Sequence, residues 1–177
     1  KGRTGQQALG VLEGGAMDRD ALRIANHLVG NEENAGALEL FMGGTRLFVS
    51  EPRMVSLAGS TADHAVIRAK NGEETQLPSG QSACLDAGAE LFVPPLRHAN
   101  TVIIAIEGGF DLPPLYGSVA TSANAKLGGL DGRLLADGDI LPLGPAAALS
   151  LAPLMLSDRT IFEKSEIIRC VTGPQDV

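Results

Sequence analysis

The residues best suited to chemistry are an adjacent acid and base, Asp18-Arg19, a glutamate among apolar residues, Glu39, an aspartate in a Gly/Pro loop, Asp111, and a run of hydroxyls, Ser118, Thr121 and Ser122. Arg19 can clamp a carboxylate of a substrate or of another subunit in a bidentate fork, or can simply be solvated. Asp18 is most simply a helix cap. Glu39 either faces solvent on a pleat or turns inward, where it needs a cation such as Arg19 or Arg23. Asp111 can bind a ligand or fix its own loop. The hydroxyls have no base nearby in sequence, so none is assigned as a nucleophile. Gly14-Gly15 leads into a helix and is either an anion-receiving pair of N–H groups or a tight turn. No nucleophile elbow, phosphate loop, dinucleotide fingerprint or metal-ligand spacing occurs.

One helix must position the first group. Ala21, Leu22, Ala25, Leu28 and Val29 recur at spacings of three and four, with Arg19, Arg23 and Asn26 on another side. Asp18 caps the start, Asp20 adds favourable charge, and Gly30 ends the run. The reading is a helix from Asp18 to Val29 that packs on a sheet.

Strand signals fill most of the remaining chain. Residues 37–42, 45–50 and 54–58 are short and apolar, the latter two alternating, and residues 65–69 and 74–77 flank Asn71-Gly72, the signature of a type I′ hairpin turn. Residues 81–85 and 89–93 flank a second turn. The β-branched run 101–106 predicts a central strand buried on both faces. Residues 115–121 are expected to be extended, residues 167–171 to form a last strand, and the apolar stretch 146–156 to be a linker or irregular segment. About ten short strands and one helix predict a mainly β fold, a barrel or folded-over sandwich.

Composition narrows the function. The chain has 177 residues, 44% hydrophobic but only 3% aromatic, so its core is aliphatic and it has few stacking platforms for single-stranded nucleic acid. A net charge of −7 argues against a phosphate-backbone surface. No apolar run is long enough to span a bilayer and no signal-peptide pattern is visible, so cytoplasm is the expected location. Cys84 and Cys170 lie in apolar runs and read as reduced, buried core thiols. His27, His64 and His98 are isolated from one another, and no metal is expected.

Six blocks in order resemble the biotin-dependent carboxyltransferase family, which includes allophanate hydrolase subunit 2, the C subunit of bacterial 5-oxoprolinase and the Kip-type antagonists of a sporulation-kinase inhibitor. They are GRTGQQALG (2–10), GGAMDRDALRIANHLVGN (14–31), ALEL (37–40), EGGFDLPPLYGS (107–118), LGGLDGRLLADGDILPLG (127–144) and IIRCVTGPQD (167–176). The resemblance implies a cyclophilin-like β-barrel over residues 1–145. Residues 146–177 would then be a linker and the first strand of a second half, in a subunit of roughly twice this length.

The resemblance also implies pairing with a smaller homologous subunit, similar to allophanate hydrolase subunit 1. The activity would be ATP-dependent opening of 5-oxoproline to glutamate with a third, lactam-utilisation subunit. The alternatives are carboxyl transfer from biotin on a carrier to urea, and a non-catalytic Kip-type binding role. No cofactor is expected on this chain itself; ATP serves the assembly. The chain departs from the family at residues 119–126, which lack an arginine expected near a serine–threonine pair, and at Asp20. The substrate-binding candidates are Asp18, Arg19, Asn26, Glu39, Asp111, Ser118 and Thr121; the catalytic residues are unassigned, and the chain alone is expected to be inactive.

Overall fold

The computed structural model describes residues 2–146, 152–163, 167 and 170–173. Its helix, α1 (Arg19–Leu28), starts where the pattern places it: the Asp18 carboxylate accepts the Ala21 N–H at 2.8 Å. Ala21, Leu22, Ala25, Leu28 and Val29 are buried. Asn26 corrects the reading of the polar side, because it is fully buried with them.

Eight strands are described, fewer than the ten expected: β1 (Leu38–Phe41), β2 (Thr45–Phe48), β3 (Arg53–Ala58), β4 (His64–Arg68), β5 (Glu74–Pro78), β6 (Gln81–Leu85), β7 (Glu90–Val93) and β8 (Thr101–Ile106). They form two four-stranded antiparallel sheets, ordered β1-β8-β3-β6 and β2-β7-β4-β5. The mainly β expectation holds, and the two sheets share one aliphatic core. Val55, Leu57, Val102, Ile104 and Leu85 from the first meet Ala65, Leu77, Leu91 and Val93 from the second.

The period of two explains why β3 and β8 are apolar on both faces. Met54, Ala58, Ile103 and Ala105 point away from that core and receive Ala21, Leu22, Ala25 and Val29 of α1. Each large side chain so buried contributes roughly 1.5–3 kcal/mol relative to exposure. Ser56, on the same outer face, donates to the Ala25 carbonyl at 2.7 Å and satisfies its own hydroxyl under the helix. The β8 expectation of a central, doubly buried strand therefore holds.

The turns are distributed differently from the expectation. Asn71-Gly72 does join two strands, but through a three-residue loop. Ala69 and Glu73 are bonded across its base, Gly72 donates to the Ala69 carbonyl at 2.9 Å, and only Gly72 has positive φ. Asn71 instead accepts the Glu73 N–H on its side chain at 3.0 Å, an Asx turn that competes with the type I′ geometry. The two-residue turn with positive φ at both centres is Tyr116-Gly117 (51° and 73°), with Leu115 and Ser118 exchanging hydrogen bonds. It folds residues 115–118 back on themselves, so the expected extended segment is absent.

Residues 81–85 and 89–93 are strands as read, yet they enter different sheets. The apolar stretch 146–156 lies partly outside the described residues. Its end covers the free edge of β6: Ser82 N–H donates to Leu154 and Leu156 N–H to Gly80, at 2.9 and 2.8 Å. An edge strand is thereby capped by irregular chain rather than by another strand. Of the last predicted strand, residues 168–169 lie outside the described residues, and Ile167, Cys170 and Val171 are not in a strand. Both cysteines are free and exposed, not buried in the core.

Candidate functional site

Three segments separated in sequence wall a cavity of about 250 Å³: residues 34–36 after α1, residues 108–110 after β8, and residues 114–119 around the tight turn. Gly36, Gly109, Phe110, Ser118 and Val119 are among the residues that line it. The walls are held by two asparagines. Asn26 reaches from α1 and donates to the Ala35 carbonyl at 3.0 Å, with a longer contact to the Glu33 carbonyl at 3.4 Å. Asn31 donates to the Asn26 carboxamide oxygen at 3.0 Å and to the Ile106 carbonyl at 2.9 Å. Its own oxygen accepts the Gly108 N–H at 2.9 Å. Helix, connection and the end of β8 are thus one hydrogen-bonded unit, made of neutral groups whose donors and acceptors are matched.

The third wall is anchored from behind. Ser118 is 3% exposed, and its hydroxyl accepts the Ala120 N–H at 3.1 Å. Ala120 in turn accepts from the guanidinium of Arg3, which is wholly buried. Arg3 also donates its backbone N–H to Glu13 at 2.6 Å. Its Nε and Nη1 have no hydrogen-bond partner among the described residues. Gly128 allows this approach: a Cβ there would lie 2.0 Å from Arg3 Nη2 and 2.2 Å from the Ala120 oxygen.

The other sequence candidates are dispersed around this unit. Arg19, largely exposed, pairs with Glu13 at 2.8 Å. Arg23 pairs with Glu33 at 3.1 Å. Glu39 therefore takes neither arginine; its carboxylate accepts the Met17 N–H at 2.8 Å and fixes the approach to α1 from the surface of β1. Asp18 is engaged as the helix cap. Asp111 is exposed, and its N–H donates to the Pro142 carbonyl at 2.9 Å. Thr121 is exposed, one segment beyond the cavity and against Gly129. Of the seven candidates, Ser118 lines the cavity and Asn26 supports its walls.

Arg3, Asn31 and Phe110 are site residues that pattern reading did not single out. Arg3 stands in a short polar segment with no periodicity to flag it, and Asn31 reads locally as no more than the residue after the Gly30 stop. Among the described residues, none of those lining the cavity is ionisable. The site can hold a neutral polar group by hydrogen bonds and an aromatic face, but supplies no acid or base of its own. The Cys84 thiol is elsewhere, and partial burial with the carboxylates of Asp86 and Glu107 pushes its pKa up, the opposite of an activated nucleophile. No cluster of metal-ligating side chains occurs among the described residues.

The family described as "Carboxyltransferase domain, subdomain A and B" matches residues 9–177. This chain belongs to the carboxyltransferase-domain family. Within that family it is 36% identical over 143 residues to the 5-oxoprolinase C subunit of Escherichia coli, across 81% of this chain and 44% of that protein. It is 30% identical over 140 residues to urea amidolyase of Saccharomyces cerevisiae, across 79% of this chain and 7% of the yeast protein. The Kluyveromyces lactis urea carboxylase structure superposes with a TM-score of 0.73 at 31% identity, over 80% of this chain and 12% of that one. The carboxyltransferase-domain chain described here spans less than half the length of its E. coli relative. Among its described residues, no helix is long and apolar enough to cross a membrane.

Proposed function

We propose that the chain is part of a multi-subunit ATP-dependent 5-oxoprolinase that hydrolyses 5-oxoproline to glutamate. The observation that carries this reading is the 36% identity to the 5-oxoprolinase C subunit over most of the chain. The cavity supports it. The lactam group of 5-oxoproline is a neutral, planar amide, and a site of backbone groups, a serine hydroxyl and a phenylalanine ring, with no ionisable side chain, suits that group, while the carboxylate of 5-oxoproline would be held by a cation outside this lining. Donors arranged there would stabilise charge that develops on the amide oxygen. The acid–base groups and the handling of ATP then fall to other parts of the assembly: a smaller subunit similar to allophanate hydrolase subunit 1, and a lactam-utilisation subunit. In this reading the chain alone is inactive, works in the cytoplasm, and enters its second half through residues 146–177.

The urea amidolyase likeness supports a second reading, carboxyl transfer from biotin on a carrier to urea. Urea and the ureido ring of biotin are also neutral and planar, so the cavity lining fits them as well. The deciding experiment mixes the protein with its partner subunits and measures glutamate released from 5-oxoproline with ATP. Glutamate formation that needs this chain supports the proposal. Turnover of urea that requires a biotinylated carrier, with none of 5-oxoproline, replaces it with the second reading. Tight association with the smaller subunit and no turnover of either substrate favours a Kip-type binding role.

A further inference from the structure

A second cavity of about 250 Å³ lies between the β3–β4 and β7–β8 loops, lined by Ala62, Asp63, His64, Pro94, Pro95, Arg97 and His98. Two of the three histidines of the chain meet here with an arginine, although the protein carries a net charge of −7. Among the described residues, Arg97 makes no ion pair or hydrogen bond through its guanidinium. The other described arginines each have a carboxylate or a carbonyl partner. Arg97 and His98 are exposed and His64 is half-buried, so this arginine, which pairs with no carboxylate among the described residues, can meet an anion arriving from solvent.

The base of this cavity is rigid, and its one carboxylate is already used. Asp63 accepts from the Ser60 hydroxyl at 2.8 Å and from the N–H groups of Arg97, His98 and Ala99 at 3.0, 3.2 and 3.1 Å. Burial works against the ionised form of Asp63, but these hydrogen bonds outweigh it and hold its pKa below the ordinary carboxylate value. The carboxylate thereby fixes the backbone that carries Arg97 and His98. Pro94 and Pro95 stiffen the opposite approach.

We propose that this cavity binds a small oxyanion, the carboxylate or phosphate group of a small molecule, with Arg97 as the principal donor and His64 and His98 as pH-dependent ones. Arginine presents a planar fork that matches either group, and a histidine side chain gains a positive charge and a second N–H donor when it is protonated. The site is distinct from the cavity at Ser118, whose lining has no ionisable group.

The test uses sulfate and acetate, each titrated into the protein at pH 8 and pH 6 and followed by the amide resonances of residues 62–64 and 97–99. Sulfate does not change charge in this range, and acetate stays ionised, so a pH effect comes from the protein. The titratable groups on the cavity are Asp63, His64, Arg97 and His98, and histidine is the residue type whose charge ordinarily changes between about pH 5 and 8. Saturable shifts confined to these residues, tighter at pH 6, are expected. The stronger of the two ions assigns the group to a phosphate-like or a carboxylate ligand. Arg97→Ala should weaken binding at least about tenfold, as loss of a charge-assisted donor does. His98→Gln should reduce the gain at pH 6, and Arg133→Ala should leave binding unchanged. The absence of saturable shifts with both ions, or equal binding by the Arg97→Ala protein, would overturn the proposal.

Discussion

The carboxamide of Asn31 bonds to that of Asn26 at 3.0 Å, and through it the end of α1 is tied to the end of β8. Asn31 lies just after the helix and Asn26 is buried in its last turns, so a single pair of side chains sets the spacing of two cavity walls.

Removing Asn26 should therefore destabilise the fold more than an ordinary helix substitution. Asn26→Ala deletes the bonds to Ala35 and Asn31 and leaves partly buried partners unmatched, a cost of about 1–3 kcal/mol. Chemical denaturation measures it. A change below about 0.5 kcal/mol would show that water or rearrangement satisfies those groups.

Asp18 and Arg19 should separate cleanly. Asp18→Ala removes the cap on Ala21 and should cost about 1 kcal/mol, while Asp18→Asn should retain most of it. Arg19→Ala breaks an exposed pair with Glu13 and should change stability by less than about 1 kcal/mol. If Arg19→Ala leaves stability unchanged yet abolishes turnover by the assembled protein, Arg19 contacts substrate or a partner subunit.

Gly128→Ala tests the close approach of Arg3 to the third wall. A methyl group there would collide with Arg3 Nη2 and the Ala120 carbonyl, one of which is backbone and cannot swing aside. Overpacking of this kind costs about 1–3 kcal/mol. Hydrogen exchange of residues 118–122 should accelerate; unchanged protection would mean that the loop is not held by this contact.

Acid should weaken the 133–139 turn in a defined window. Hydrogen bonds from Arg133 at 2.7 and 2.8 Å, then the Ala136 N–H, lower the pKa of Asp139 from 3.8 to about 2. Because the folded value is depressed, the stabilisation is present above pH 3.8 and is lost as pH falls through about 2. Unfolding midpoints of Asp139→Asn and the unaltered protein, compared at pH 5 and pH 2, should converge at the lower pH. A gap that persists there would contradict this linkage.

Much of the fold was legible because its determinants are local. The Asp18 cap, the apolar stripe of α1 and the stop at Gly30 all lie within one short segment, and the doubly apolar β8 announces its own burial. The Asn71-Gly72 hairpin was legible as a hairpin but not in its turn type. The Asn71 side chain bonds locally to Glu73 and changes the loop, a choice that residue preference alone does not resolve.

The site was less legible. Glu39 was open between solvent and an arginine, and it took a backbone N–H, because Glu13 and Glu33 already hold Arg19 and Arg23. Asn26 falls outside the apolar stripe, yet it is buried because the connection after α1 folds back over it.

The sequence by itself determined the mainly β class, the helix and its cap, the central strand and the family blocks, since each depends on residue type and spacing over a few positions. Tertiary structure alone decided which distant groups meet: Asn31 with Ile106, Arg3 with Ala120, and Asp63 with the amides of residues 97–99. The physical reason is that hydrogen bonds across tens of residues depend on strand order and register, which set both cavities and which no local periodicity encodes.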